Sequence, residues 1–164
     1  MAQDQNPTAP YHGETAVYHY LELLRDVVGF DKVRAAVKHP LTGQKIAAYY
    51  GCLLLRPGKV MAFDDPENPR IIEDFIRALG AEPVLYAQRN ECCGGYTVLE
   101  NPAGAQKRSR AVSEDAAAHG AQRIVTVCPL CRYNLEKNGS ALPVVYFTEL
   151  LAEALGVKAP AADE

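Results

Sequence analysis

The chain has 164 residues, a formal net charge of −3 and 48% hydrophobic residues. That length suits one domain with an ample core, and the mildly acidic balance gives no footing for nucleic acid. No uninterrupted apolar stretch approaches the roughly 20 residues that cross a bilayer, and the amino terminus lacks the basic and then apolar order of a secretory signal, so a cytoplasmic setting with reduced thiols is expected.

Residues 1–13, polar and interrupted by Pro7, Pro10 and Gly13, read as a flexible lead, residues 14–156 as a single domain and residues 157–164 as a flexible tail. From Thr15 to Val28 the apolar positions Val17, Tyr20, Leu21, Leu24, Val27 and Val28 recur every three or four residues, predicting an amphipathic helix closed by Gly29. Asp31 is placed to cap a short helix towards Lys38, stopped by His39-Pro40. Ile46 to Tyr50 predicts a first strand. Asn68-Pro69 opens a helix carrying Ile71, Ile72, Phe75, Ile76 and Leu79, and Val84 to Tyr86 predicts a second strand. A helix from Ala103 to His119, a strand from Ile124 to Val127 and a helix opening at Pro129 follow; Val144 to Tyr146 and Thr148 to Leu155 supply the last strand and helix. Strands alternating with helices predict an α/β fold, Rossmann-like, with a mostly parallel sheet covered by helices on both faces.

The five cysteines form the pattern C-x39-CC-x34-C-x2-C, made of Cys52, the pair Cys92-Cys93 followed by Gly94-Gly95, and Cys128-Pro129-Leu130-Cys131. Each group follows a short apolar run, so neighbouring parallel strands would deliver all three to one sheet edge, at the carboxyl ends where such sheets bind their ligands. Five thiolates exceed the four positions of a tetrahedral zinc, and all-sulfur ligation suits zinc or iron-sulfur chemistry. An iron-sulfur centre uses every thiolate. Zinc on four of them, a thiol-disulfide switch at Cys128 and Cys131, and plain burial of small apolar side chains are the alternatives. Gly94 and Gly95 lack any phosphate-loop context; their expected role is to bring backbone N–H groups close to sulfur.

Tyr49-Tyr50-Gly51-Cys52, Asn90-Glu91-Cys92-Cys93-Gly94-Gly95 and Val127-Cys128-Pro129-Leu130-Cys131 at these distances resemble the CCG domain, the cysteine-rich module found in the B subunit of heterodisulfide reductase. Val37 to Leu41, Leu53 to Pro57 and Phe63 to Pro69 resemble the carboxyl-terminal half of that protein, and the likeness covers residues 15–156. It implies that Cys52, Cys92, Cys93, Cys128 and Cys131 hold a non-cubane [4Fe-4S] cluster serving reduction of a thiol-derived disulfide. It further implies two partners, one a ferredoxin-like subunit, the other a flavin subunit. Family members of this kind carry two modules in tandem, and a second needs cysteines beyond the five present, so the second module is expected on a second CCG chain, in a homodimer mate or in a longer form of this chain, or else the protein works with one cluster. CCG modules resemble parts of other dehydrogenase complexes as well, which leaves an electron-transfer or scaffold role as a second reading and a zinc-stabilised interaction domain as a third.

Outside the cysteines, His12, His19, His39 and His119 are scattered candidates for a ligand or proton donor, with His39 read rather as part of a helix stop and His119 as a helix-end cation. Lys107-Arg108-Ser109-Arg110 reads as a solvated helix face or a docking patch for an acidic redox partner. Arg56, Arg89 and Arg132 lie within a few residues of a cysteine and are candidates to offset thiolate charge or bind an anionic substrate.

Overall fold

The structure, a computed structural model, describes residues 12–157. The expected flexible ends fall outside that range except for residues 12, 13 and 157. Helix α1 (Tyr20–Leu23) runs on into a π-helical turn (Leu24–Val28). It starts later than the apolar spacing predicts because His19 caps it: the ring Nδ1 accepts the N–H of Leu21, and Glu22 reaches back to the N–H of His19. Val17, left outside, is 89% exposed. Helix α2 (Phe30–Ala36) begins directly after Gly29, so Asp31 lies inside its first turn, paired with Arg34, instead of capping it.

Strand β1 (Lys45–Tyr49) leads through a short helix α3 (Gly58–Met61) to α4 (Ile71–Ala78). The cap of α4 comes from farther back than Asn68-Pro69: Asp64 Oδ2 accepts the N–H groups of Arg70 and Ile71, each at 2.7 Å. Strand β2 (Glu82–Val84) is followed by a 3₁₀ turn (Ala87–Asn90) and helix α5 (Pro102–Ala118). Pro83 is tolerated inside β2 because β2 is an edge strand. Strand β3 (Arg123–Thr126), α6 (Pro129–Lys137), β4 (Val144–Tyr146) and α7 (Phe147–Leu155) complete the fold.

The four strands pair in parallel in the order β2-β1-β3-β4. Successive side chains of a strand point to opposite faces. Ile46, Ala48 and Tyr50 therefore join Val125 and Val127 in a core with α1, α2, α4 and α7. Ala47 and Tyr49 join Ile124 in a second core with α5 and α6. Both faces are covered, as the alternating pattern predicts. The chain leaves β1 towards β2 on one side and leaves β3 towards β4 on the other, which makes the carboxyl ends of β1 and β3 the switch point where such sheets form a crevice. Among the described residues no helix is long and apolar enough to cross a membrane.

Candidate metal centre

Cys52 and Cys128 stand at that switch point, just beyond β1 and β3. Between β1 and Cys52, Tyr50 donates its N–H to the carbonyl of Arg89 at 2.8 Å, prolonging the contact of β1 with the chain after β2. Gly51 then turns with φ +66°, and a Cβ there would come within 2.8 Å of the Cys131 sulfur. Only glycine combines that backbone with that approach.

The vicinal pair arrives differently from the sequence reading, since Cys92 follows the 3₁₀ turn Ala87–Asn90 and not the strand itself. The turn is anchored by Asn90 Nδ2 donating to the carbonyl of Pro66 at 2.9 Å and by Tyr49 Oη donating to the carbonyl of Glu91 at 2.7 Å. Gly94 has φ +81°, and its N–H donates to Cys92 Sγ at 3.3 Å. Cys128 is the N-cap residue of α6, and Pro129 occupies the first helical position, where its missing N–H costs nothing. The same helix brings Cys131 back one turn later, with its sulfur 3.7 Å from Cys93 Sγ.

All five cysteines line one pocket, together with Tyr50, Leu53, Leu54, Gly95, Tyr96 and Leu130. Two thiolates on one tetrahedral metal with bonds of about 2.3 Å stand about 3.8 Å apart, and the Cys93–Cys131 separation matches that spacing. Among the described residues, no three His, Cys, Asp or Glu side chains converge on a single-ion position. The five free thiols thus outnumber the ligands of one tetrahedral ion and share one largely apolar pocket, a donor set that fits a sulfur-ligated group.

The electrostatics divide the thiols. Contact with Cys131 draws Cys93 down to about 6, assisted by the N–H of Gly95 and the side chain of Asn134. The same thiol draws Cys128 down to about 6, and the N–H groups of Cys131 and Leu130 at the start of α6 reinforce this. Cys131, hydrogen-bonded to Cys128 and Cys93 and buried, is pushed up. Cys52 is pushed up by burial and by the neighbouring Cys92.

The three arginines singled out by their sequence position are turned away. Arg56 binds the carbonyls of Asn90 and Pro66 and pairs with Glu67; Arg89 binds Asn68 and faces Glu73; Arg132 pairs with Glu136 and Glu149. Carbonyls, the Asn68 amide and carboxylates outside the pocket take up their donors. Lys107 and Arg108 instead line a groove beside Cys92, with Gln88, Glu91 and Asn101. His119 caps the end of α5 and sits 3.2 Å from Asp115. His19, one of four scattered histidines in the sequence, has its Nε2 3.4 Å from the carbonyl of Val127 beside Cys128; Ser109, read as part of a solvated or docking face, and Asn134, which the sequence reading did not single out, both reach Cys93.

The cysteine-rich CCG domain family matches residues 46–136, a span that includes all five cysteines. The chain belongs to this family. The chain is 33% identical over 159 residues to the 8-methylmenaquinol:fumarate reductase membrane anchor subunit of Wolinella succinogenes, a match covering 91% of the chain and 55% of that relative. It is 28% identical to the B subunit of the ferredoxin/F420H2-dependent CoB-CoM heterodisulfide reductase of Methanosarcina acetivorans, covering 89% of the chain and 52% of that relative. A protein of Archaeoglobus profundus described as like the B subunit of heterodisulfide reductase is 29% identical, with 89% of the chain and 54% of that relative covered. The chain spans about half the length of the curated relatives it matches.

Proposed function

We propose that this chain is an iron-sulfur electron-transfer module of a larger oxidoreductase similar to heterodisulfide reductase. The observation that carries the reading is that every cysteine of the chain lines one pocket at the switch point of the sheet. In this reading Cys52, Cys92, Cys93, Cys128 and Cys131 hold a non-cubane [4Fe-4S] cluster. Bound there, the group would supply uptake and release of single electrons. The chain contributes the rest. The N–H groups of Gly94 and Gly95, and those of Leu130 and Cys131 at the start of α6, point at sulfur and stabilise negative charge on it. Leu53, Leu54, Tyr96 and Leu130 give the pocket an apolar lining, a setting of low polarity in which those hydrogen bonds count for more.

Cleaving a disulfide takes two electrons, so a module passing one at a time needs a second centre within reach. The reading therefore calls for a second CCG module, carried by another chain, a homodimer mate or a longer form of this chain, with electrons delivered in the cytoplasm by two further partners, a ferredoxin-like subunit plus a flavin subunit. A second reading is favoured by the 33% identity to the Wolinella protein, above the 28% and 29% to the two heterodisulfide reductase relatives: the module would then serve electron transfer in another reductase or dehydrogenase complex, without its own disulfide.

Anaerobic purification with iron, sulfide and zinc quantification tests the common core of both readings. Iron with matching acid-labile sulfide is expected. Zinc without sulfide after anaerobic reconstitution would overturn both readings and leave a zinc-stabilised interaction domain. Reoxidation of the reduced protein by candidate disulfides, alone and with partner subunits, then separates the first reading from the second. Fast two-electron reduction of a disulfide by a monomer with one centre would contradict the need for a partner.

A further inference from the structure

We infer that Asn134 and Ser109 are positioning residues for the centre: from α6 and α5 they clamp the Cys93 carbonyl and thereby set the geometry and retention of whatever Cys93 binds. The inference rests on Cys93 being a ligand. Ser109 is 0% exposed and Asn134 is 2% exposed, and both face the vicinal pair. Ser109 Oγ donates to the Cys93 carbonyl at 3.1 Å; Asn134 Nδ2 donates to the same carbonyl at 2.6 Å and to Ser109 Oγ at 3.2 Å. Asn138 Nδ2 donates to Asn134 Oδ1 at 2.8 Å. That bond assigns the amide oxygen to Asn138 and leaves the Asn134 nitrogen for Cys93.

Packing alone does not ask for these side chains. They lie between two helices and the sheet, where apolar side chains could be buried without needing any partner, and a buried polar group is costly unless it is bonded. Their partner explains them. The peptide after Cys93 belongs to no strand or helix, so its buried carbonyl needs donors from side chains. Spacing along the helices makes the clamp. Cys131 and Asn134 are three residues apart on α6, one face of one turn, and they meet Cys93 at its sulfur and its carbonyl. Ala105 and Ser109 are four apart on α5; a Cβ on Gly94 would come within 2.9 Å of Ala105 Cα, while Ser109 binds the residue before it. The loop is held from two sides.

The test uses Asn134→Leu, which keeps the γ-branched shape with some added bulk and removes the donor, with two readouts. Under a chelator challenge the loaded protein is expected to lose iron and sulfide with an apparent affinity about 10–100-fold weaker than the unaltered chain, as for other residues that orient metal ligands. In metal-free protein, mass-spectrometric alkylation is expected to reach Cys93 several-fold faster relative to Cys52 of the same chain. If the variant is only less thermostable, with retention and Cys93 labelling unchanged, the side chain is packing and the inference is wrong. Should Asn134→Leu fail to fold, Ser109→Ala, which deletes one oxygen, carries both measurements with the same expected directions. If the unaltered chain binds no iron-sulfur group, the proposed function fails by itself, and the labelling ratio still decides whether the clamp exists.

Discussion

A side-chain carbon at Gly51 would come within 2.8 Å of the Cys131 sulfur, so the turn that ends β1 and the helix that follows β3 meet through the absence of a Cβ. Gly51 also holds φ +66°, which costs any L-residue roughly 1–2 kcal/mol. Gly51→Ala is expected to lower the melting temperature of the metal-free chain and to displace Cys131, reducing iron bound per chain after reconstitution. Gly120→Ala is the control: φ there is +85° with nothing within 4 Å of the added carbon, so it incurs the backbone cost alone and keeps its iron. Equal iron content in both variants would show that the close approach is irrelevant to binding.

The vicinal pair invites a direct comparison of ligands. Reconstituted chain is expected to carry about four irons, and Cys93→Ser should abolish or change its electronic spectrum, because Cys93 is buried and in contact with Cys131. Cys128→Ser should do the same and also destabilise the start of α6, where the sulfur receives the first N–H groups of the helix. An unchanged spectrum and iron content in Cys93→Ser would remove the pair from the ligand set.

His19 predicts a pH dependence. Burial, against Phe63 and Phe147, holds its pKa below 6.5, and the neutral ring is the form that works: Nδ1 accepts from Leu21, leaving the Nε2 proton to face the carbonyl of Val127. The unfolded chain therefore binds more protons than the folded one as pH drops below 6.5. This contribution to stability is complete above 6.5 and is lost as pH falls through the lowered value. Melting of the metal-free chain is expected to fall on acidification across that window, and His19→Asn, which can still cap the helix but does not titrate, should flatten the fall. Identical slopes for both proteins would assign the acid sensitivity elsewhere.

Lys107 and Arg108 line the groove into which Cys92 opens. With an acidic electron donor, the double change Lys107→Glu and Arg108→Glu is expected to slow bimolecular electron transfer at low ionic strength and to weaken its salt dependence, with iron content unchanged. Rates that do not respond to the charge reversal would make this a solvated face.

The alternation of strands and helices, the coverage of both sheet faces and the convergence of three cysteine groups are legible in the sequence, because they follow from local periodicity and from strand ends lying together in a parallel sheet. Boundaries were legible to within a few residues and slipped where a cap from elsewhere intervened, as with Asp64 at α4 and the His19-Glu22 box at α1. The basic run 107–110 hid a buried Ser109, because composition does not say which residue of a helix turns inward.

What the sequence by itself determined, then, is the fold class and the grouping of the thiols. Only the tertiary structure decided that Cys92 and Cys93 arrive through a 3₁₀ turn, that Cys93 touches Cys131, that Arg56, Arg89 and Arg132 turn to other partners, and that Asn134 and Ser109 turn to the Cys93 carbonyl. The physical reason is one of range. Periodicity and caps act over a turn or two of chain, whereas the partner of a buried carbonyl or guanidinium is whichever group packing brings within about 3 Å, and residues distant in sequence supply it.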